Sequence, residues 1–396
     1  MRVNVASLTA THPLDLAREL EKAGVLGKYY SALPPFRVSG LPPSRIHSNP
    51  YLLLPHFLLR RAGLHALDQR LTWATTEAFD FWLSRVQGPA DVLHVLSGFG
   101  LRAMRHAKAR RVVTVCDRGS SHIRFQNDLL RDEFSRWNVP YPEINPAIIA
   151  KEEAEYREAD TVVVPSTFAR QSFLRMGVDG DKVATVPYGV RLEEYFPVPK
   201  RDDVFRVLCV ASLRIRKGLG YLLEAVSQLS VPRMEVVLRG TPMPETRGIL
   251  ARYEGHFRLD PPRPRKIRAT SVSEERAEMR DLYSQASVLV LPSVEEGLAL
   301  VMGQAMACGV PVIATTNTGA EDLITDGRDG FIVPVRDPAA IRDRLDYLAS
   351  HPEQRAAMGR AALEKVRSRH GWDDYAITMR RLYQNRLAGQ REQPIA

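Results

Sequence analysis

The sequence predicts an α/β protein built from two Rossmann-like, doubly wound domains with a cleft between them. Its 396 residues exceed one compact core of ordinary size and suit two. From residue 204 onward, short continuous apolar runs alternate with amphipathic stretches, the pattern of a parallel sheet covered by helices on both faces. Prolines and charges interrupt the pattern at YFPVPKRDD, residues 195–203. The domains are placed at 1–195 and 204–371, with 196–203 as linker. The final amphipathic helix, 372–396, is expected to pack back on the first domain.

In the first domain RVNVASL, DVLHVLSG, RRVVTVCD and ADTVVVPS read as parallel strands, and DLARELEKAG and STFARQSFLRMG as helices. Residues 28–60, rich in proline and aromatics, read as an elaborated excursion, and Leu52 to Arg85 as helical. The second domain is more regular. It runs VFRVLCVAS (strand), LGYLLEAVSQL (helix), MEVVLRG and KIRATS (strands), EERAEMRDLYSQA (helix) and SVLVLPS (strand). LALVMGQAMACG (helix), VPVIATT (strand), AEDLITDG (short helix), GFIVPV (strand) and PAAIRDRLDYLASH (helix) complete it. Sheets of this kind bind ligands at the carboxyl ends of their strands.

Composition narrows the function. Hydrophobic content of 44% and charged content of 26% are those of a globular protein. No apolar run approaches the roughly 20 residues that span a bilayer, and the start has no signal-peptide core. Cys116, Cys209 and Cys308 lie far apart without metal-ligand spacing and read as reduced, buried thiols of a cytoplasmic protein. The net charge of +9 is divided almost evenly between the halves. One cluster stands out: Arg102, Arg105, Lys108, Arg110 and Arg111, with no acidic residue among them. It reads as a solvated helix face, or as a surface for an anionic acceptor or for anionic headgroups at the inner face of a membrane. No nucleic-acid motif accompanies the charge.

The dinucleotide fingerprint and the P-loop are both absent, which argues against a dehydrogenase and an NTPase. Asp179-Gly180-Asp181 resembles a metal-binding Asp-x-Asp, but it sits between a helix end and a strand, where turn chemistry explains it. Two other stretches are more telling. In VASLRIRKG a strand ends at Ser212, and Arg214, Arg216 and Lys217 precede Gly218 and a helix, a cationic loop suited to a pyrophosphate. In EEGLALVMGQAMACG two carboxylates and a glycine separate a buried strand from a helix. That is either a capped helix or an anion site made of helix amides.

Together with TVPYGVRLEEYF and GRDGFIVP, these stretches resemble the retaining nucleotide-sugar glycosyltransferases of family 4, which have the two-domain GT-B fold. The resemblance covers roughly 150–380 and is looser in the first domain. It implies a UDP- or GDP-linked sugar donor, no cofactor and no metal, with cations and amides in the place of a divalent ion. It places Glu296 near the donor sugar and the amides of Gly297, Leu298, Ala299 and Leu300 against sugar and diphosphate. Gln304 stands where the family carries a second glutamate that holds the ribose, and an amide can also do so. Lys217 matches the diphosphate lysine. Ser212 stands in place of an arginine for which Arg214 or Arg216 is the candidate substitute. Cys116 holds the place of the family's cleft histidine, with Asp117 and His122 close behind it as catalytic candidates. His12 is the notable side chain of the LTATHPLD loop. Glu321 reads as a helix cap or a sugar contact, and Trp372 as packing where the chain crosses back. The implied function is glycosyl transfer to a glycan or lipid-linked acceptor, in cell-surface polysaccharide or glycolipid assembly. The rival reading is a GT-B scaffold that binds a nucleotide sugar or glycan without turnover, and a smaller third is a nucleotide-sugar epimerase.

Overall fold

The structure is a computed structural model, described here for residues 1–261 and 272–391. The strand expected at KIRATS, 266–271, lies outside the described residues. The first sheet contains β1 (Val3–Ala6), β2 (Leu26–Ser31), β3 (Ile46–Ser48), β4 (Val92–Leu96), β5 (Val113–Asp117), β6 (Thr161–Val164) and β7 (Val183–Thr185). Its order is β3-β2-β1-β4-β5-β6-β7, parallel throughout. The second contains β8 (Phe205–Val210), β9 (Met234–Arg239), β10 (Arg258–Asp260), β11 (Val288–Leu291), β12 (Val312–Thr315) and β13 (Gly330–Val333). Its order is β10-β9-β8-β11-β12-β13, also parallel. Two Rossmann-like α/β domains are therefore present, as the alternating pattern implied.

The second sheet was legible because both its faces are covered: Val288, Leu289 and Val290 are wholly buried, so the strand is apolar without alternation. Strand β2 was not, because Lys28, Tyr29 and Tyr30 interrupt the apolar run. Both tyrosines are buried, and their hydroxyls are satisfied: Tyr29 meets Ser7 Oγ at 2.7 Å, and Tyr30 accepts the Gly88 amide at 2.8 Å. Two further helices, Ile123–Arg136 and Pro146–Glu158, lack a clean apolar stripe and were not expected.

The chain crosses between the domains twice, and the crossings touch. Val190 N donates to His370 O at 2.7 Å, and Val190 pairs with Gly371. A Cβ on Gly189 would lie 2.5 Å from Trp372 N, so only glycine admits the approach. Helix Trp372–Arg391 then runs back over the first domain, burying Tyr375, Met379 and Tyr383.

The basic cluster has tertiary partners that the local sequence did not show. Arg102 pairs with Glu77 (3.2 Å), Arg105 with Glu158 (3.1 Å) and Lys108 with Asp160 (3.3 Å). Arg110 donates to the carbonyls of Gln87 and Gly88. The cluster is largely neutralised within its own domain. All three cysteines are free and buried, and burial raises each thiol, Cys209 and Cys308 to about 12. Asp179 accepts the Asp181 amide at 3.0 Å in a tight turn. Among the described residues, no helix is long and apolar enough to cross a membrane and no group of three or more His, Cys, Asp or Glu is arranged to hold a metal ion.

Candidate active site

Strand order reverses beside β1 and β4 in the first sheet and beside β8 and β11 in the second. At such switch points the loops leaving the carboxyl ends diverge and open a crevice. Here the two crevices face each other across a cleft of about 830 Å³. The first domain lines it with Thr11, His12, Leu96, Gly119 and Tyr188. The second supplies Ser212, Lys217, Arg239, Glu296 and the turn Leu298–Val301, among others.

The loop after β8 is shaped by Gly218, whose φ is +64° and whose Cβ would strike the Pro292 carbonyl at 1.9 Å. That close approach sets Lys217 in direct ion-pair contact with Glu296. Arg216 bridges the adjacent carboxylates, 2.9 Å from Glu295 and 3.7 Å from Glu296. Burial and the charge of Arg216 lower the Lys217 ammonium, to about 7, while nearby Glu295 and the touching Glu296 favour its charged form. Helix Leu300–Ala307 begins beside them with Ala299 at its N-cap and no side-chain cap. Its first amides have no partner within the helix and are suited to oxyanions. Ser212 also lines the cleft, whereas Arg214 is exposed and outside the lining.

Arg216, Gly297, Gln304 and Glu321, also expected to meet the donor, lie off this lining as well. Gln304 sits on the helix beyond Leu300 and accepts the buried Tyr283 hydroxyl at 2.8 Å. Glu321 is exposed and lines a different cavity, with Phe125 and Asn317. Its neighbour Asp322 instead spans the domains, accepting the Thr167 amide and hydroxyl at 2.7 Å each.

In the first domain Asp117, at the end of β5, is wholly buried. Its Oδ2 lies 2.7 Å from His12 Nε2 and 3.0 Å from His94 Nε2. Burial alone would raise this carboxyl, but the two histidines outweigh it and hold Asp117 far below the usual range. An ionised carboxylate only accepts, so both ring nitrogens donate to it. His94 Nδ1 then accepts the Tyr383 hydroxyl at 2.9 Å, and His12 turns Nδ1 towards Gly119. Asp117 thus stands behind His12 rather than in the cleft. His122 is not part of this group. It caps helix Ile123–Arg136 through Nδ1, packs on Tyr156 and Phe173, and is lowered to about 4 by burial. The histidine that faces the cleft is His12.

Glu295, adjacent to the assigned carboxylate, is the residue sequence reasoning passed over. Fully buried, it accepts from Ser120 Oγ (2.6 Å), the Ser121 amide (3.1 Å) and hydroxyl (2.6 Å), and Gln126 (2.8 Å), all in the first domain. Burial opposes its charge, yet Arg216 and these donors hold it down at about 2. Ser166 Oγ donates to Gly297 O at 2.5 Å, and a Cβ on Gly297 would lie 2.2 Å from the Gly119 carbonyl. Arg239, also missed, reaches the cleft from the end of β9 and pairs with Asp260 (3.0 Å) and Glu278 (2.8 Å).

Comparison with known proteins finds a match for each domain. The family model "Glycosyl transferase 4-like domain" matches residues 9–189 and "Glycosyl transferases group 1" matches 204–351, one per domain. Among curated relatives, the D-inositol 3-phosphate glycosyltransferase of Xylanimonas cellulosilytica is 28% identical over 62% of this chain and 61% of its own length. That of Streptomyces scabiei is 34% identical over 52% and 49%. The matched stretch thus spans about half to three fifths of these relatives. Among solved structures, a sucrose-phosphate synthase from Thermosynechococcus elongatus superposes with a TM-score of 0.71 at 20% identity, over 98% of this chain and 100% of that one. Anabaena HepE, in complex with UDP and glucose, does so with 0.67 at 14%, over 97% and 100%. With one matching model on each of two domains in the GT-B arrangement, the chain belongs to the family 4 glycosyltransferases.

Proposed function

We propose that the protein is a retaining, metal-independent glycosyltransferase that moves a sugar from a nucleotide-sugar donor, UDP- or GDP-linked, to a hydroxyl acceptor. One observation supports the reading above the rest: Lys217, Glu296 and the first amides of helix Leu300–Ala307 converge on one side of the cleft, with His12 opposite. Lys217 and the amides stabilise negative charge growing on the leaving diphosphate, and Arg216 holds both adjacent carboxylates in place. Glu296 orients the sugar. The acceptor oxygen bonds the anomeric carbon on the face from which the diphosphate oxygen departs, and the acceptor proton passes to that leaving oxygen. His12, fixed by Asp117, bounds the site from the first domain and positions the acceptor beside the anomeric carbon. Gln304, held by Tyr283, and Glu321 serve as supports of the donor domain in this reading rather than as donor contacts. The place of action is the cytoplasm, in the assembly of cell-surface glycans or glycolipids.

The test is a panel of UDP- and GDP-sugars with the purified protein, read by thermal stabilisation and by nucleoside diphosphate release with varied acceptors. Stabilisation by one donor together with acceptor-dependent release supports the reading. Stabilisation without release from any donor points to a scaffold, and no stabilisation by any member defeats the site assignment.

A further inference from the structure

We infer that a face of the first domain, formed by the loop around Phe36 and by helix Leu54–Arg61, docks on the surface of an anionic lipid bilayer. Large apolar side chains stand out here instead of packing inward: Phe36 is 83% exposed, Tyr51 79%, Phe57 60% and Leu58 54%. Behind them lies a groove of about 660 Å³, lined by Leu8, Leu33, Arg37, Leu53, Phe57 and Arg61 with other side chains. Scattered apolar residues on a surface need no explanation, but a grouped set beside an apolar groove marks an interaction site.

Charge identifies the occupant. Of the cations between Glu21 and Asp68, Arg37 and Arg61 line the groove, whereas Lys22 and Arg45 pair with Glu19 and Glu21. No carboxylate is among the described residues that line it. Aromatic and leucine side chains rimmed by arginine match a headgroup layer in which rings and aliphatic chains sink below anionic phosphates. The cluster at Arg102–Arg111 lacks this character, because Glu77, Glu158 and Asp160 pair with it.

The face also adjoins the cleft. Leu8 and Thr9 line the groove, while Thr11 and His12 of the same loop line the cleft. A docked protein would therefore present the His12 side of the cleft towards the bilayer, which suits an acceptor carried by a lipid. The docking goes beyond the proposed transfer reaction and does not depend on it.

Flotation with vesicles of phosphatidylglycerol mixed with phosphatidylcholine, against phosphatidylcholine alone, tests this in the full chain. The native protein should float with the anionic vesicles. A triple variant, Phe36→Ser, Phe57→Ser and Leu58→Ser, should lose at least about tenfold in partitioning. Arg37→Gln with Arg61→Gln should remove the preference for phosphatidylglycerol. Arg102→Gln with Arg105→Gln should change nothing. All the substituted side chains of the triple variant are exposed, so its melting temperature and nucleotide-sugar binding should match the native protein, which separates docking from folding. No flotation, flotation indifferent to the triple variant, or loss only in the Arg102/Arg105 variant would overturn the inference. So would a native dimer that the triple variant splits, since the face would then belong to a second copy.

Discussion

Glu295 and Ser121 lie in different domains, and the Ser121 hydroxyl donates to the Glu295 carboxylate at 2.6 Å inside a seam closed to water. Four further partners surround the same carboxylate: the Ser121 amide, Ser120, Gln126 and Arg216. Its job is to hold one domain against the other, next to the residues expected to meet the donor.

Acid should loosen that seam. The Glu295 carboxyl titrates at about 2 in the folded protein, against an ordinary 4.5. A depressed value contributes stability that is complete above 4.5 and lost as pH falls towards about 2. Thermal unfolding followed from neutral pH downward should show this loss, and Glu295→Gln should flatten it. At neutral pH the same variant should cost on the order of 3 kcal/mol, because Arg216 and four donors lose their anion. An unchanged acid slope in the variant would assign the titration elsewhere.

Gly297→Ala should separate binding from turnover. Its Cβ would press on the Gly119 carbonyl across the seam, so the domains cannot meet as they do now. Diphosphate binding, which needs one domain only, should stay within about twofold, while kcat falls about 100-fold through misplacement of the reacting groups. Small-angle scattering should report a larger radius for the variant, and equal radii with full activity would refute the account.

His12→Ala and Asp117→Asn should act alike. Removing the ring removes the acceptor-side group. Replacing the carboxylate frees the ring to turn and to change tautomer. Both should lower kcat, His12→Ala by about 100-fold, with the dissociation constant for the nucleoside diphosphate nearly unchanged. His122→Ala should leave kcat near native, since that ring serves the helix cap and the packing around Tyr156. A larger kcat loss in His122→Ala than in His12→Ala would reverse the assignment.

Lys217→Ala should weaken diphosphate binding at least tenfold, about the strength of one charge-assisted contact. In the native protein the ammonium is lowered to about 7, and an arriving diphosphate favours its protonated form. Binding should then take up protons above neutral pH and weaken as pH rises through about 7. Calorimetry in buffers of different ionisation enthalpy reads the uptake directly. Equal enthalpies in all buffers would show that Lys217 stays protonated throughout.

The sequence disclosed those parts whose burial follows the chain locally. Strand β11 is apolar along its whole length, and β8 and β12 are so apart from Arg206 and Thr315; Lys217 and Glu296 lie in the loops that follow β8 and β11, so their neighbourhood could be read. Helix Ile123–Arg136 could not be, because Gln126, Asn127 and Glu133 on its buried side are polar and satisfied by partners far along the chain. The same applies to Glu295, whose partners lie 169 to 175 residues away apart from Arg216. His12 and His122 both lie a few residues beyond a strand end. Spacing does not say which side of a loop meets the cleft, and here only His12 does.

The contact between Lys217 and Glu296 has a consequence for the rhythm of a catalytic cycle. The ammonium already has a counterion, so an arriving diphosphate wins it only by dislodging a carboxylate that stays within reach. Affinity for the nucleotide is blunted by that contest. In the proposed reaction the same carboxylate would return to the ammonium once the sugar has gone and so help to evict the spent nucleotide.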